Sequence, residues 1–152
     1  MSAQAIPARQ PDRVKQFSVF TANRVGRLYD LVSLLDSHQV DILALNVIDA
    51  TDNAIIRLIT DDPEKTRELL QAQAIAFAEN DLVVVEMDSA TELNKLMSAL
   101  LEAEINVNYL YSFIPHPQGK SILALSMEDG EDAEKALQRR QFRLLRQGDI
   151  SR

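Results

Sequence analysis

The chain reads as an α+β protein made of two consecutive β-α-β-β-α-β units, and two observations predict this. Residues 13–77 carry a strand-like run, a helical run, two strand-like runs, a helical run and a short closing strand, and residues 81–144 repeat that order. The copies also align position by position. Leu28, Leu31, Leu35, Val40, Ile42 and Leu45 fall opposite Leu93, Leu96, Leu100, Ile105, Val107 and Leu110, an offset of 65. Beyond about position 50 the offset becomes 67, pairing Ile55 with Ile122, Leu58 with Leu125, Asp62 with Asp129 and Leu70 with Leu137. The second copy therefore has two extra residues in a turn. We divide the chain into a flexible N-terminal arm (1–12), a first unit (13–79) and a second unit (80–147).

Each element has a local cause. Val14, Phe17, Val19 and Thr21 make a first strand rich in strand formers. Gly26 opens a helical stretch whose Leu28, Leu31, Val32 and Leu35 share one face, and His38-Gln39 ends it. Residues 40–48 are strand-like, 49–53 contain turn formers, and 54–59 are a second apolar strand. In Asp62-Pro63-Glu64 the Asp caps, the Pro fits the first helical turn and the Glu complements the helix dipole. That helix runs to about Gln73, and residues 75–77 form a short closing strand. In the second copy residues 81–88 are the first strand, and Ser89-Ala-Thr-Glu92 has capping-box spacing. Leu93, Leu96, Met97 and Leu100 give the next helix its buried face. Residues 105–114 form a strand with Tyr109, Tyr111 and Phe113 alternating, 115–119 a longer turn and 121–127 a strand. The last helix spans 129–138 and the last strand 142–145. Two such units imply ferredoxin-like plaits, each a four-stranded antiparallel sheet with two helices on one face.

Composition narrows the function. The 152 residues are 46% hydrophobic and 26% charged, as in soluble globular proteins. No apolar run approaches the roughly 18 residues of a membrane span, so no membrane contact is expected. The net charge of −7 argues against binding a nucleic-acid backbone, which needs clustered Lys and Arg. RNA-binding plaits need aromatics exposed on the first and third strands, and the strands here do not supply them. The absence of cysteine removes disulfides and thiolate chemistry and fits a cytoplasmic location. His38 and His116 lie at unmatched positions, and no His/Asp/Glu cluster has metal spacing. No cofactor, metal or catalytic residue is expected. The basic cluster Arg139, Arg140, Arg143 and Arg146 reads as a solvated helix end or a subunit contact.

The turn from Asn23 to Leu28 is the candidate ligand site. A glycine at a strand-to-helix turn lets the backbone approach a ligand. The free N–H groups at the helix start attract a carboxylate, and Asn23 adds a donor and an acceptor. The alternative is that Gly26 permits the turn and Asn23 caps the helix.

Asn23-Arg-Val-Gly-Arg-Leu28, followed by a helix and a strand opening Val40-Asp-Ile42, resembles the ACT-domain signature, in which Asn-x-Pro-Gly-x-Leu ends the first strand. Glu104-Ile-Asn106-Val-Asn108 matches the second-strand opening in the second copy. Ala50-Thr51-Asp52 and Tyr109-Leu-Tyr111-Ser-Phe113 are similar to segments of stand-alone bacterial proteins with two tandem ACT modules. The resemblance covers roughly 130 residues and implies regulatory binding of an amino acid. Its modules pair side by side through their second strands, with ligand held at the seam by the glycine loop of one and the second-strand start of the other. Carried over by position, the first site uses Asn23, Arg24, Val25, Gly26, Arg27 and Leu28, with Asn106 from the second copy and Tyr111 as a wall. The mirror site uses Asp88, residues 90–93 and Asp41. There Thr91 replaces the glycine and carboxylates replace both amides, so one competent and one degenerate site are expected. Val25 stands where proline is usual, leaving the loop less rigid. Thr21 either helps to hold the ligand or only pairs in the sheet, and Phe113 alternates with Tyr111 as wall or core.

The sequence thus leads to a non-enzymatic regulatory protein of two ACT modules, binding a free amino acid at their seam, homodimeric and sensed by a regulated protein partner. The rival reading is a protein–protein assembly module whose ligand sites are vestigial.

Overall fold

A computed structural model, described for residues 12–22, 25–114 and 119–151, joins the two units through a single curled antiparallel sheet. Chain order is β1 (Val14–Ala22), α1 (Arg27–Ser37), β2 (Ile42–Ala50), β3 (Asn53–Thr60), α2 (Pro63–Ala72) and β4 (Phe77–Met87). A 3-10 turn (Ala90–Glu92) leads into α3 (Leu93–Glu102), then β5 (Val107–Ser112), β6 (Ser121–Met127), α4 (Gly130–Arg139), β7 (Arg143–Leu145) and α5 (Gln147–Ile150). Residues 1–11 of the expected arm, Asn23, Arg24 and residues 115–118 with His116 lie outside the described residues.

Sheet order is β2-β3-β1-β4-β6-β5, with β7 also against β4. Each half has the plait order, but the closing strand of the first unit and the opening strand of the second are one strand. Residues 77–82 of β4 pair with β1, and residues 83–87 pair with β6. Two separate strands, 75–77 and 81–88, were expected here. Pairing with β1 keeps Glu79-Asn80-Asp81 extended, and ion pairs flank it: Lys15 Nζ reaches Asp81 Oδ1 at 2.5 Å, and Arg67 reaches Glu79 at 2.5 Å. The side-by-side seam implied by the resemblance is reduced to a single bridge, Ala44 opposite Phe113, with Ile114 N–H donating to the Leu43 carbonyl at 2.8 Å.

Alternation along β4 separates the cores. Val83, Val85 and Met87 face α3 and α4, packing with Leu96, Leu100 and Leu137. Phe17, Val19, Ile56 and Leu58 pack against Leu31, Leu35 and Leu70 of α1 and α2. Leu82 and Val84 turn the other way, into a central core with Val14, Ala44 and Ile59 of the first unit and Tyr111, Phe113 and Ala124 of the second. The helix-free faces of the two units thus close on each other. Burying each such aliphatic side chain contributes about 1.5–3 kcal/mol.

All four long helices end alike. Gln39, Ala74, Glu104 and Gln141 adopt positive φ of 61°, 53°, 56° and 64°. The next residue's N–H then bonds back to a buried leucine carbonyl: Val40 to Leu35, Ile75 to Leu70, Ile105 to Leu100 and Phe142 to Leu137, at 3.0–3.1 Å. This is the 6→1 bond of a Schellman close, with an apolar residue following it into the core. A side chain with a Cβ is strained in this left-handed conformation. Glu104→Gly, at an exposed position, is therefore expected to raise unfolding free energy by about 1 kcal/mol, read from the urea midpoint. An unchanged or lower midpoint would contradict this account.

α5 lies beyond the predicted elements and ties the chain ends together. Gln147 is buried; its Oε1 accepts from Lys15 N–H at 3.0 Å, and its Nε2 donates to the Thr60 carbonyl at 3.3 Å. Its own N–H donates to the Asp12 carbonyl. In the basic cluster Arg139 and Arg143 are exposed, as a solvated helix end would be, while Arg140 pairs with Glu102, Arg143 with Glu86 and Arg146 with Glu134.

Candidate functional site

The glycine turn sits where β1 ends and α1 begins. Gly26 is the N-cap of α1, with φ 93° and ψ −16°, and its carbonyl accepts from Asp30 N–H at 2.8 Å. A Cβ there would meet nothing within 4 Å, so backbone conformation rather than crowding calls for glycine. Asp62 and Asp129 cap α2 and α4 through their carboxylates, accepting from Lys65 and Asp132 N–H at 3.0 Å. Gly26 has no side chain to do this, and among the described residues no side chain caps α1, whose first-turn N–H groups attract an anion.

Beside this turn lies a cavity of about 640 Å³, bounded by the end of β1, the first two turns of α1 and the turn from α2 into β4. Thr21, Ala22, Arg27 and Asp30 border it near the glycine turn, and Val19, Leu31 and Ile56 border it from the core. Thr21 was read as either a ligand contact or a pairing residue. It lines the cavity and faces Ala54 in the sheet.

Of the eight expected site residues, Asn23 and Arg24 lie outside the described residues. Val25, Gly26, Arg27 and Leu28 form the turn and the first residues of α1, and Arg27 lines the cavity. Val25 is fully exposed, in keeping with a loop not stiffened by proline. Asn106 precedes β5, where its Nδ2 donates to Glu128 Oε2 at 3.1 Å and its carbonyl accepts from Glu128 N–H at 3.2 Å. The antiparallel bridge between β2 and β5 puts the start of β5 toward the end of the sheet that carries the glycine turn and the Thr51 turn.

Tyr111 is placed elsewhere, in the central core, where its hydroxyl donates to Gln16 Oε1 at 2.6 Å. Burial pushes that hydroxyl's pKa up, and neighbouring Tyr109 adds to the shift. Gln16 Nε2 donates to the Tyr109 oxygen at 2.7 Å, and Arg57 lies 3.6 Å above the Tyr109 ring. Periodicity flagged the tyrosines, but their partner Gln16, a fully buried polar residue on β1, carried no local signal.

The mirror turn is satisfied from within. Ser89 Oγ accepts from Thr91 N–H at 3.3 Å, and Glu92 accepts from Asp88 N–H at 2.6 Å. Asp88 pairs with Lys120 at 3.1 Å. Asp41, the other expected contributor, accepts from Asp61 N–H through its carbonyl and donates its N–H to Asp61 Oδ1 at 2.9 Å. A cavity of about 370 Å³ beside Ala90 and Leu93 is walled mainly by apolar groups, among them Leu110, Phe113 and Ile114.

The family model for an ACT domain pair matches residues 12–152. Among solved structures, protein BT0572 from Bacteroides thetaiotaomicron superposes with a TM-score of 0.83 at 24% identity, covering 91% of this chain and 95% of that one. The regulatory subunit of aspartate kinase from Thermus thermophilus superposes at 0.60 and 13% identity, covering 84% and 91%. A C-terminal regulatory domain of aspartate kinase from Porphyromonas gingivalis W83 gives 0.53 and 15%, covering 83% and 87%. No curated protein matches the sequence. No helix among the described residues is long and apolar enough to cross a membrane.

Proposed function

This chain belongs to the family of ACT domain pairs, and from that premise we propose that it is a non-enzymatic regulator that binds a free amino acid at the glycine turn of its first module. The observation that carries the reading is the coincidence of an α1 N-terminus that no described side chain caps with a cavity of about 640 Å³ bordered by Arg27 and Asp30. The ligand carboxylate would meet the first-turn N–H groups, and the amide side chains carried over by position for it are Asn23 and, from the second module, Asn106. The second turn, which supplies its own caps, is the degenerate copy. The regulatory role follows the one named for the aspartate kinase neighbours. Modules of residues 13–79 and 80–147, a homodimer, a regulated protein partner and a cytoplasmic location complete the reading. In mechanism, the ligand shifts the balance between two arrangements of the modules, and the partner responds to the favoured one.

A thermal-shift panel of the twenty amino acids tests this. A ligand at 100 times its Kd adds about 2.7 kcal/mol to the folded state, which for a chain of this size is roughly 5–10 °C in Tm. We expect a selective rise that Asn23→Ala abolishes.

A flat panel would overturn the proposal in favour of an assembly module. One observation favours that rival: α1 and the turn before it leave Tyr29 and Val25 exposed, and α3 leaves Leu93 and Leu101 exposed. For that rival, Asn23→Ala changes nothing and sedimentation velocity shows a self-associating protein.

A further inference from the structure

The cavity beside the glycine turn also carries information about which amino acid it takes. Resting on the reading above, we infer that the ligand is an α-amino acid with a large, uncharged apolar side chain, such as leucine, isoleucine or phenylalanine. Its side chain descends from the glycine turn between α1 and the turn that follows α2.

Three features lead there. Among the described residues, Arg27 and Asp30 are the charged side chains lining the cavity, both on the first turn of α1. Neither is in an ion pair with a described residue. One cation and one anion match the carboxylate and ammonium of a zwitterion and leave no partner for a third charge. Next, the deep wall is apolar: Val19, Leu31 and Ile56 are 2%, 5% and 2% exposed, and Leu34 and Ile75 are half-buried beside them. A charged ligand side chain would lose its water against that wall, and the other polar side chains lining the cavity, Thr21 and Gln73, carry no charge to pair with it. Finally, the volume of about 640 Å³ falls within the range of small-molecule sites. Glycine or alanine would leave most of it unfilled.

The second turn has diverged away from this chemistry. Its cavity is walled by apolar groups too, but Lys120 there is already held by Asp88 and Glu86. Among the described residues it therefore offers a zwitterion no unpaired cation.

Titration calorimetry on the full chain with leucine, alanine, glutamate and lysine tests the inference. Leucine is expected to bind at least tenfold more tightly than alanine, since each methylene in an apolar pocket is worth roughly 10- to 200-fold. Glutamate and lysine are expected to give no heat. Ala76→Trp, at an exposed position lining the cavity, should weaken leucine at least tenfold and leave alanine unchanged. Leu34→Asp puts a carboxylate into the same space and is expected to abolish leucine binding and admit lysine. It serves as the second variant if Ala76→Trp does not fold, as judged by circular dichroism. Silence with every amino acid overturns the underlying site. Stronger binding of alanine or glutamate than of leucine leaves that site standing and overturns the apolar class. Leucine binding untouched by both variants overturns the cavity as the place of the side chain.

Discussion

Gln16→Ala is expected to lower the unfolding free energy by about 3 kcal/mol. Gln16 is fully buried between the two units. Its carboxamide accepts from the Tyr111 hydroxyl at 2.6 Å and donates to Tyr109 at 2.7 Å and to Asn80 Oδ1 at 3.0 Å. Removing it strands the buried Tyr111 hydroxyl, and an unsatisfied buried group costs about 1–3 kcal/mol. The space left by the side chain adds to that loss. Tyr109 and Asn80 are less buried and recover part of their bonding from water. Tyr111→Phe removes the stranded hydroxyl, so adding it to Gln16→Ala should restore about 1 kcal/mol or more, a non-additivity expected of residues in contact. Urea unfolding of the two single variants and the double variant measures this. A Gln16→Ala loss below about 1 kcal/mol would show that the network contributes little.

The second large effect is expected at Glu134, the carboxylate that joins the chain ends. It lies on α4 with its side chain 9% exposed, Arg13 Nη2 2.6 Å from one oxygen and Arg146 Nη1 2.6 Å from the other. Arg13 precedes the first strand of one unit, whereas Arg146 follows the last strand of the other. Glu134→Gln keeps the shape and removes the charge, leaving two guanidinium groups facing each other with little water. Breaking a buried ion pair in this way costs about 3–5 kcal/mol. The lower figure suits this site, where the arginines are 19% and 25% exposed. A loss of about 3 kcal/mol corresponds to roughly 6–12 °C in Tm for a chain of this size. Scanning calorimetry would report it, and a drop of under about 2 °C would mean that solvent screens the cluster.

Much of the secondary structure was legible because its causes act over a few residues. The caps at Asp62 and Asp129 form as the sequence suggests, and Leu31, Leu35 and Leu70 mark buried helix faces. The repeat itself was visible in paired leucines, and the four matching helix ends with Leu35, Leu70, Leu100 and Leu137 are its structural counterpart. Within the candidate site, Gly26 could be singled out because a glycine at a strand-to-helix turn has a local conformational reason.

What escaped the sequence depends on partners far away along the chain. Nothing near Gln16 indicates that it will meet Tyr111, 95 positions on, or that Gln147 will cap the edge of β1 from 132 positions away. The ion pairs of the arginines after α4 were not legible because their carboxylates come from α3, β4 and α4. The merging of two strands into β4 turns on pairing with distant β1, flanked by ion pairs to Lys15 of β1 and Arg67 of α2. The cavity beside Gly26 likewise exists because three separate elements stop short of one another. Hydrogen-bonding and rotational preferences written into neighbouring residues define each helix and strand. Burying their apolar faces against one another sets the order of the sheet, the closing of its inner face and the empty space beside the turn.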